Sequence, residues 1–98
     1  MPERRGYKRF EANTTAIIRK GVGDRESFLL ENISARGAGI LGYKPFAVDE
    51  KLTVLFSLPF LVKRSIQKQA RVAWCKLLRD GVWECGLDFG SQNLLLHF

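Results

Sequence analysis

Two groups of residues carry the chemistry available to this chain. Arg4, Arg5 and Arg9 stand in the basic run Arg4-Arg5-Gly6-Tyr7-Lys8-Arg9, with Arg5 and Arg9 four positions apart. Planar guanidinium forks grip phosphate oxygens in pairs or meet the O6/N7 edge of guanine, a geometry that lysine matches less well. The second group lies in Glu31-Asn32-Ile33-Ser34-Ala35-Arg36-Gly37-Ala38-Gly39-Ile40. It offers the amide of Asn32, the hydroxyl of Ser34, the guanidinium of Arg36, and backbone that a ligand can approach closely at Gly37 and Gly39. Taken singly, a basic run is commonly a solvated tail and a polar, glycine-rich stretch is commonly a tight connection between strands. Together they describe a cradle for a polar, phosphate-bearing ligand.

The elements that must position these residues read as strands. Met1 to about Phe10 has the character of an exposed arm, and residues 11–98 form a single domain. Thr14-Thr15-Ala16-Ile17-Ile18 is β-branched and ends at the turn-forming Gly21-Val22-Gly23-Asp24. A second strand over roughly Glu26 to Ile33 pairs back on it. Gly37 to Tyr43 forms a short third strand that cannot continue through Pro45. Leu52 to Leu58 alternates apolar and mixed positions as a strand that Pro59 stops. Phe60-Leu61-Val62 reads as a covering loop with a partner-facing patch as the alternative, and Lys63-Arg64 point to solvent. Asp80-Gly81 suits a two-residue turn joining the last two strands, giving six antiparallel strands in all.

In that last hairpin a regular register pairs Leu78 with Trp83, Lys76 with Cys85, Cys75 with Gly86, Trp74 with Leu87 and Val72 with Phe89. Val72, Trp74, Leu78, Trp83, Cys85, Leu87 and Phe89 then share the core face. Lys76 falls on the same face, so either its stem snorkels to an open end or the register breaks at a bulge. Cys75, Glu84 and Asp88 take the exposed face. This register sends Cys75 and Cys85 to opposite sides of the sheet and argues against an intramolecular disulfide. Core packing is favoured for Trp74 and Trp83 over base stacking. Gln92 to Phe98 suits a short helical cover over a barrel end, and the sole histidine, His97, lies in that tail without a catalytic role.

The chain has 98 residues, 46% of them hydrophobic, and a formal charge of +6. That length fits one modest core, and the composition excludes a disordered polymer. The positive balance favours phosphate-bearing partners without choosing between nucleic acid, an anionic membrane surface and a nucleotide. There is no signal-peptide pattern and no apolar stretch of the ~18 residues that a membrane span needs, so a cytoplasmic location is expected. No phosphate-binding glycine loop in a strand-to-helix setting, no serine nucleophile elbow and no zinc-ligand spacing occurs. The expectation is a binding module without cofactor or metal rather than an enzyme. Glu84 and Asp88 could form a carboxylate pair on the exposed face, but read as ordinary solvated surface charge.

Arg5-x-x-x-Arg9 followed by Asn32-x-Ser34-x-x-Gly37 resembles the two-part signature of the PilZ domain, the bacterial receptor module for cyclic di-GMP. Trp74 and Gly86-Leu87-Asp88-Phe89 resemble its later strands, so the likeness covers nearly the whole chain. The resemblance implies an all-β fold, a small six-stranded antiparallel β-barrel with a flexible basic N-terminal arm. It implies that Arg5 and Arg9 hold the phosphates and engage guanine, that Asn32 and Ser34 address a guanine edge, and that Gly37 leaves room for the turn. Asn32 stands where many members carry aspartate, and Arg36 where a small residue is frequent, adding a cation beside the ligand or partly obstructing it. Arg4, immediately before the arginine motif, implies two cyclic di-GMP molecules per chain. The implied partners are cyclic di-GMP and a downstream protein or a second copy of the chain. The runner-up is a small basic nucleic-acid-binding barrel, which calls for several solvent-facing aromatics.

Overall fold

The computed structural model describes residues 10–58 and 62–90. These residues form six strands, β1 (Phe10–Arg19), β2 (Arg25–Ser34), β3 (Gly37–Gly42), β4 (Lys51–Leu58), β5 (Val62–Arg79) and β6 (Val82–Asp88), with no helix. All neighbours are antiparallel and the sheet closes in the order β1-β2-β3-β6-β5-β4. Closure removes the exposed edges that a sheet of this size would otherwise present. The strand that begins the barrel starts earlier than its β-branched segment suggests, at Phe10. Residues 1–9, with Arg4, Arg5 and Arg9, and the C-terminal residues 91–98 lie outside the described residues. So do Pro59, Phe60 and Leu61, whereas Val62 opens β5 instead of belonging to a loop.

Alternation along each strand sends one set of side chains inward. Ile18 of β1, Leu30 and Ile33 of β2, Ile40 of β3, Val54 of β4 and Val72 of β5 meet there, all but inaccessible to solvent. Phe46, from the segment between β3 and β4, closes this core from one side and packs its ring 5.2 Å from that of Phe28. Val72, Cys85, Leu87 and Phe89 occupy the core face as expected.

The β5–β6 hairpin departs from the regular register in two places. Arg79 faces Val82 across the Asp80-Gly81 turn, with Gly81 at φ 68°, but Leu77 rather than Leu78 then faces Trp83. Extra residues at Leu78 and Ala73 interrupt the ladder, so the intervening pairs are Lys76 with Glu84, Cys75 with Cys85 and Trp74 with Gly86. A one-residue slip exchanges the two faces of a strand. Lys76 thereby leaves the core for an ion pair with Glu84 at 3.6 Å, avoiding the desolvation of a buried ammonium. Trp74 turns outward with it and is 41% exposed, and Leu78 is also exposed, so neither belongs to the core. Trp83 is half-buried.

The same slip brings Cys75 and Cys85 opposite each other on one face, where a disulfide joins them. The regular register had placed them on opposite faces, and the bulges are the physical reason that the bridge forms. Cys85 is buried and Cys75 is half-buried against the core.

Inward and outward positions should respond differently to truncation. Ile40→Ala removes a fully buried side chain and should cost about 2–5 kcal/mol. Leu77→Ala, at an exposed position, should stay within about 0.5 kcal/mol. Urea unfolding followed by far-UV circular dichroism checks both.

Candidate functional site

The outward face of the four neighbouring strands β2, β3, β6 and β5 holds a concavity. Gly37 and Gly39 are the two outward positions of β3 nearest the β2–β3 turn, facing Asp88 and Gly86 of β6. With no side chains there, the sheet has a bare floor. Ala38, between them, points into the core. Gly37 allows a close approach rather than an unusual backbone angle, since a β-carbon on it would collide with the carbonyl of Leu87. Gly86 is required in the same way, because its missing side chain is the seat of the Trp74 indole.

Asn32, Ser34, Arg36 and Gly37 come together around this floor, with Glu31, Trp74, Glu84 and Asp88 completing the walls of a cavity of about 400 Å³. The Asn32 side chain lies beside Gly39, its register partner across β2 and β3. Glu31 follows the inward Leu30 on the outer side, and the break between the Leu30 and Asn32 pairs keeps Asn32 on that side as well while Ile33 returns to the core. Ser34 is only 5% exposed. Its hydroxyl donates to the carbonyl of Gly37 at 3.4 Å and accepts from the amide of Arg36 at 3.4 Å, so it ties the turn that shapes the cavity. Arg36 is exposed, and its carbonyl accepts from the amide of Phe89 at 2.8 Å, anchoring the turn to the end of β6.

Trp74 is the functional candidate that a regular hairpin hides. Its indole sits against Gly86 and remains 41% exposed, and the ammonium of Lys76 stands over the ring, 5.7 Å from its centroid, while pairing with Glu84. The arrangement gives a flat aromatic wall for a nucleobase, a contact worth about 1–3 kcal/mol per base. The signal in the sequence was the misplaced Lys76, which demanded a bulge and carried Trp74 outward.

The two ends of the cavity differ in charge. At one end Glu31 and Glu84 share a hydrogen bond, and burial followed by that bond and the neighbouring charge raises the pKa of Glu31. At the other, Asp88 accepts from the amide of Gly90 at 2.7 Å and from Arg71 at 3.0 Å. The Gly90 amide, then Arg71 and the charge of Arg36, hold its carboxyl below the usual range. Arg71 spans from Asp88 to Asp49, at 2.5 Å. Glu84 and Asp88 therefore take separate partners and form no carboxylate pair. Among the described residues no three potential metal ligands cluster, and no helix is long and apolar enough to cross a membrane.

The family model of the PilZ domain matches residues 3–97. The chain belongs to the PilZ domain family. Among solved structures, this PilZ chain is similar to the inhibitor of motility MotI/DgrA of Bacillus subtilis, at 24% identity and a TM-score of 0.77, over 91% of this chain and 44% of that one. It is also similar to MrkH of K. pneumonia, solved as a complex with c-di-GMP, at 17% identity and a TM-score of 0.67, over 90% of this chain and 45% of that one. At these identities the likeness establishes the shared fold, and the chain spans less than half the length of either protein. No curated protein matches it.

The raised pKa of Glu31 fixes the sign of a pH effect. A carboxyl whose pKa is higher in the folded state supports folding most at low pH, and that support is lost as pH rises through the raised value. Glu31→Gln should therefore stabilise the barrel at about pH 7 relative to the native chain, with the difference vanishing below the ordinary carboxylate pKa of about 4.3. Thermal unfolding across this range measures it. Asp88→Asn should show the opposite trend, costing stability at neutral pH and little in acid, because its pKa is lowered on folding.

Proposed function

We propose that this PilZ domain is a cyclic di-GMP receptor that binds the nucleotide between its N-terminal arginines and the glycine-floored cavity. The observation that carries this reading is where the arm is attached. Phe10 pairs with Ile33 and Glu11 with Asn32, so Arg9 is covalently joined to the barrel beside the cavity wall. At no more than about 3.6 Å per residue, Arg5 lies within about 18 Å of Phe10 along the chain. Both arginines of the motif can thus reach a ligand lying on Asn32, Gly37 and Gly39. Family membership supports the ligand's identity, as does the cyclic di-GMP complex of the similar MrkH structure.

In this reading Arg5 and Arg9 hold the phosphates, Trp74 stacks on a guanine, and Asn32 addresses a guanine edge. Ser34 keeps the turn in shape in addition to any contact it makes with the base. Arg36 contributes a cation at the rim. The acidic end formed by Glu31 and Glu84 repels phosphate and accepts hydrogen bonds, so it suits the N–H donors of a guanine and orients the ligand. The mutually repelling arginines of the arm gain phosphate partners on binding, which draws the arm onto the barrel and creates a new surface for a partner protein or a second copy. The work of the site is binding rather than catalysis. Arg4 supplies a further fork for an outer ligand, giving two cyclic di-GMP molecules per chain.

A nucleic-acid surface of the stacking type would set several aromatics in a row along a groove. Among the described residues Trp74 is the one aromatic lining the cavity, which favours a compact nucleotide.

Calorimetric titration with cyclic di-GMP, beside GTP, cyclic di-AMP and a short single-stranded RNA, tests the reading. Cyclic di-GMP should bind in preference to the others, and Arg5→Ala or Arg9→Ala should each cost about 1.5–3 kcal/mol, roughly tenfold to a hundredfold in affinity. Equal responses to all four, lost together at moderate salt, would leave only a basic surface. At protein concentrations well above Kd, Arg4→Leu should move the ligand count from near two toward one. A native count of one, unchanged by that substitution, removes the second ligand and leaves the receptor.

A further inference from the structure

We propose that the Cys75–Cys85 disulfide is a redox-controlled clamp on the ligand cavity, so that thiol reduction weakens cyclic di-GMP binding. The proposal rests on the receptor reading above and adds a regulator to it. The bridge joins β5 to β6 at one register pair. The pairs on either side of it are Trp74 with Gly86 and Lys76 with Glu84. Trp74, Gly86 and Glu84 line the cavity, and Lys76 contacts both Trp74 and Glu84. The sulfurs thus sit on the core side of the same short ladder segment whose outer side forms the aromatic wall.

Bonded sulfurs stand about 2 Å apart, whereas unbonded heavy atoms need about 3.5–4 Å. Cys85 is 1% exposed and hemmed in by the core, and the sulfur of Cys75 accepts from the amide of Phe46 at 3.5 Å. The two thiols must separate within this packing, by spreading the strands or by turning Cys75. Either movement acts on the adjacent Trp74–Gly86 pair, where the indole sits in a space the width of one missing side chain. An oxidised clamp therefore holds the aromatic wall ready for the ligand, and preorganisation of this kind strengthens binding.

The chemistry is ordinary thiol–disulfide exchange with a small thiol such as glutathione. A glutathione thiolate attacks the more accessible sulfur, that of Cys75, and Cys85 leaves as a thiolate and takes up a proton. A second glutathione thiolate resolves the mixed disulfide, freeing Cys75, which is protonated in turn. Two glutathione molecules become one oxidised glutathione, and the protein disulfide gains two electrons and two protons.

The full chain carrying Trp83→Phe tests this, because the sequence has two tryptophans and two cysteines and Trp74 then reports alone. The protein is equilibrated with reduced or oxidised glutathione, its free thiols are counted by alkylation and mass, and Trp74 emission and cyclic di-GMP affinity are measured in each form. No free thiols are expected in the oxidised form and two in the reduced form. Trp74 emission should change on reduction, and affinity should fall by about fivefold or more. Cys75→Ala should bind like the reduced protein and ignore glutathione, and the native pair supplies the comparison should that variant fold poorly. Two free thiols under oxidised glutathione, or equal emission in both forms, would overturn the clamp, as would equal ligand affinity. Switching of Trp74 emission without cyclic di-GMP binding in either form would support the clamp on the cavity and refute the receptor reading instead.

Discussion

Gly37 and Gly39, successive outward positions of β3, carry no side chain, and the site depends on that absence. Gly37 lets the backbone of β6 approach where a β-carbon would strike the carbonyl of Leu87, and Gly39 leaves the Asn32 side chain in place beside it. Ala38, facing the other way, still contributes to the core. A strand with small residues outside and apolar ones inside can be held by its neighbours while leaving a trough on its exposed face. β2 raises one wall of that trough with Glu31 and Asn32, and β5 raises the other with Trp74. The walls stand because the floor is bare.

The wall formed by β5 is the costlier part. A regular hairpin would have placed Lys76 in the core, and no arrangement of the neighbouring Val72, Cys85 and Leu87 offers that ammonium a counter-charge. Two extra residues, Leu78 and Ala73, let the segment between them turn over. The outcome is one coupled unit, in which Lys76 lies between the ring of Trp74 and the carboxylate of Glu84 while the two sulfurs face each other beneath. Strand bulges of this kind commonly re-aim side chains at functional places.

The readable parts of the fold were those set by local pattern. Apolar alternation marked β4, the Asp80-Gly81 turn placed the last hairpin, and the polar run from Asn32 to Gly37 marked the turn between β2 and β3 because turn chemistry is a property of adjacent residues. The side of the sheet to which Trp74 and Cys75 belong was not readable from periodicity, since a single extra residue reverses it. Lys76 carried the only hint, as a charge out of place. The shared side of Glu31 and Asn32 was similarly concealed, because adjacent residues face the same way only through the break between the Leu30 and Asn32 pairs. The length of β1 was understated for a different reason. Phe10, Glu11 and Asn13 have little β-branched character, and Asn13 adopts φ 45° where the pairing with β2 slips.

That early start of β1 ties the two halves of the sequence signature together. The arginine motif and the turn motif are separated by some twenty residues, yet Phe10 and Ile33 are direct partners. The electrostatics follow from the same layout, with an acidic end at Glu31 and Glu84 and a balanced end at Asp88, Arg71 and Arg36, while β1 begins beside Asn32. Amide and indole chemical-shift mapping on titration with cyclic di-GMP tests this account most directly. The largest shifts should fall on the Trp74 indole N–H, the Asn32 side-chain amide and the backbone amides of Gly37 and Gly39, together with Arg5 and Arg9. Shifts spread evenly over lysines and arginines around the barrel, with the Trp74 and Asn32 signals unmoved, would contradict it.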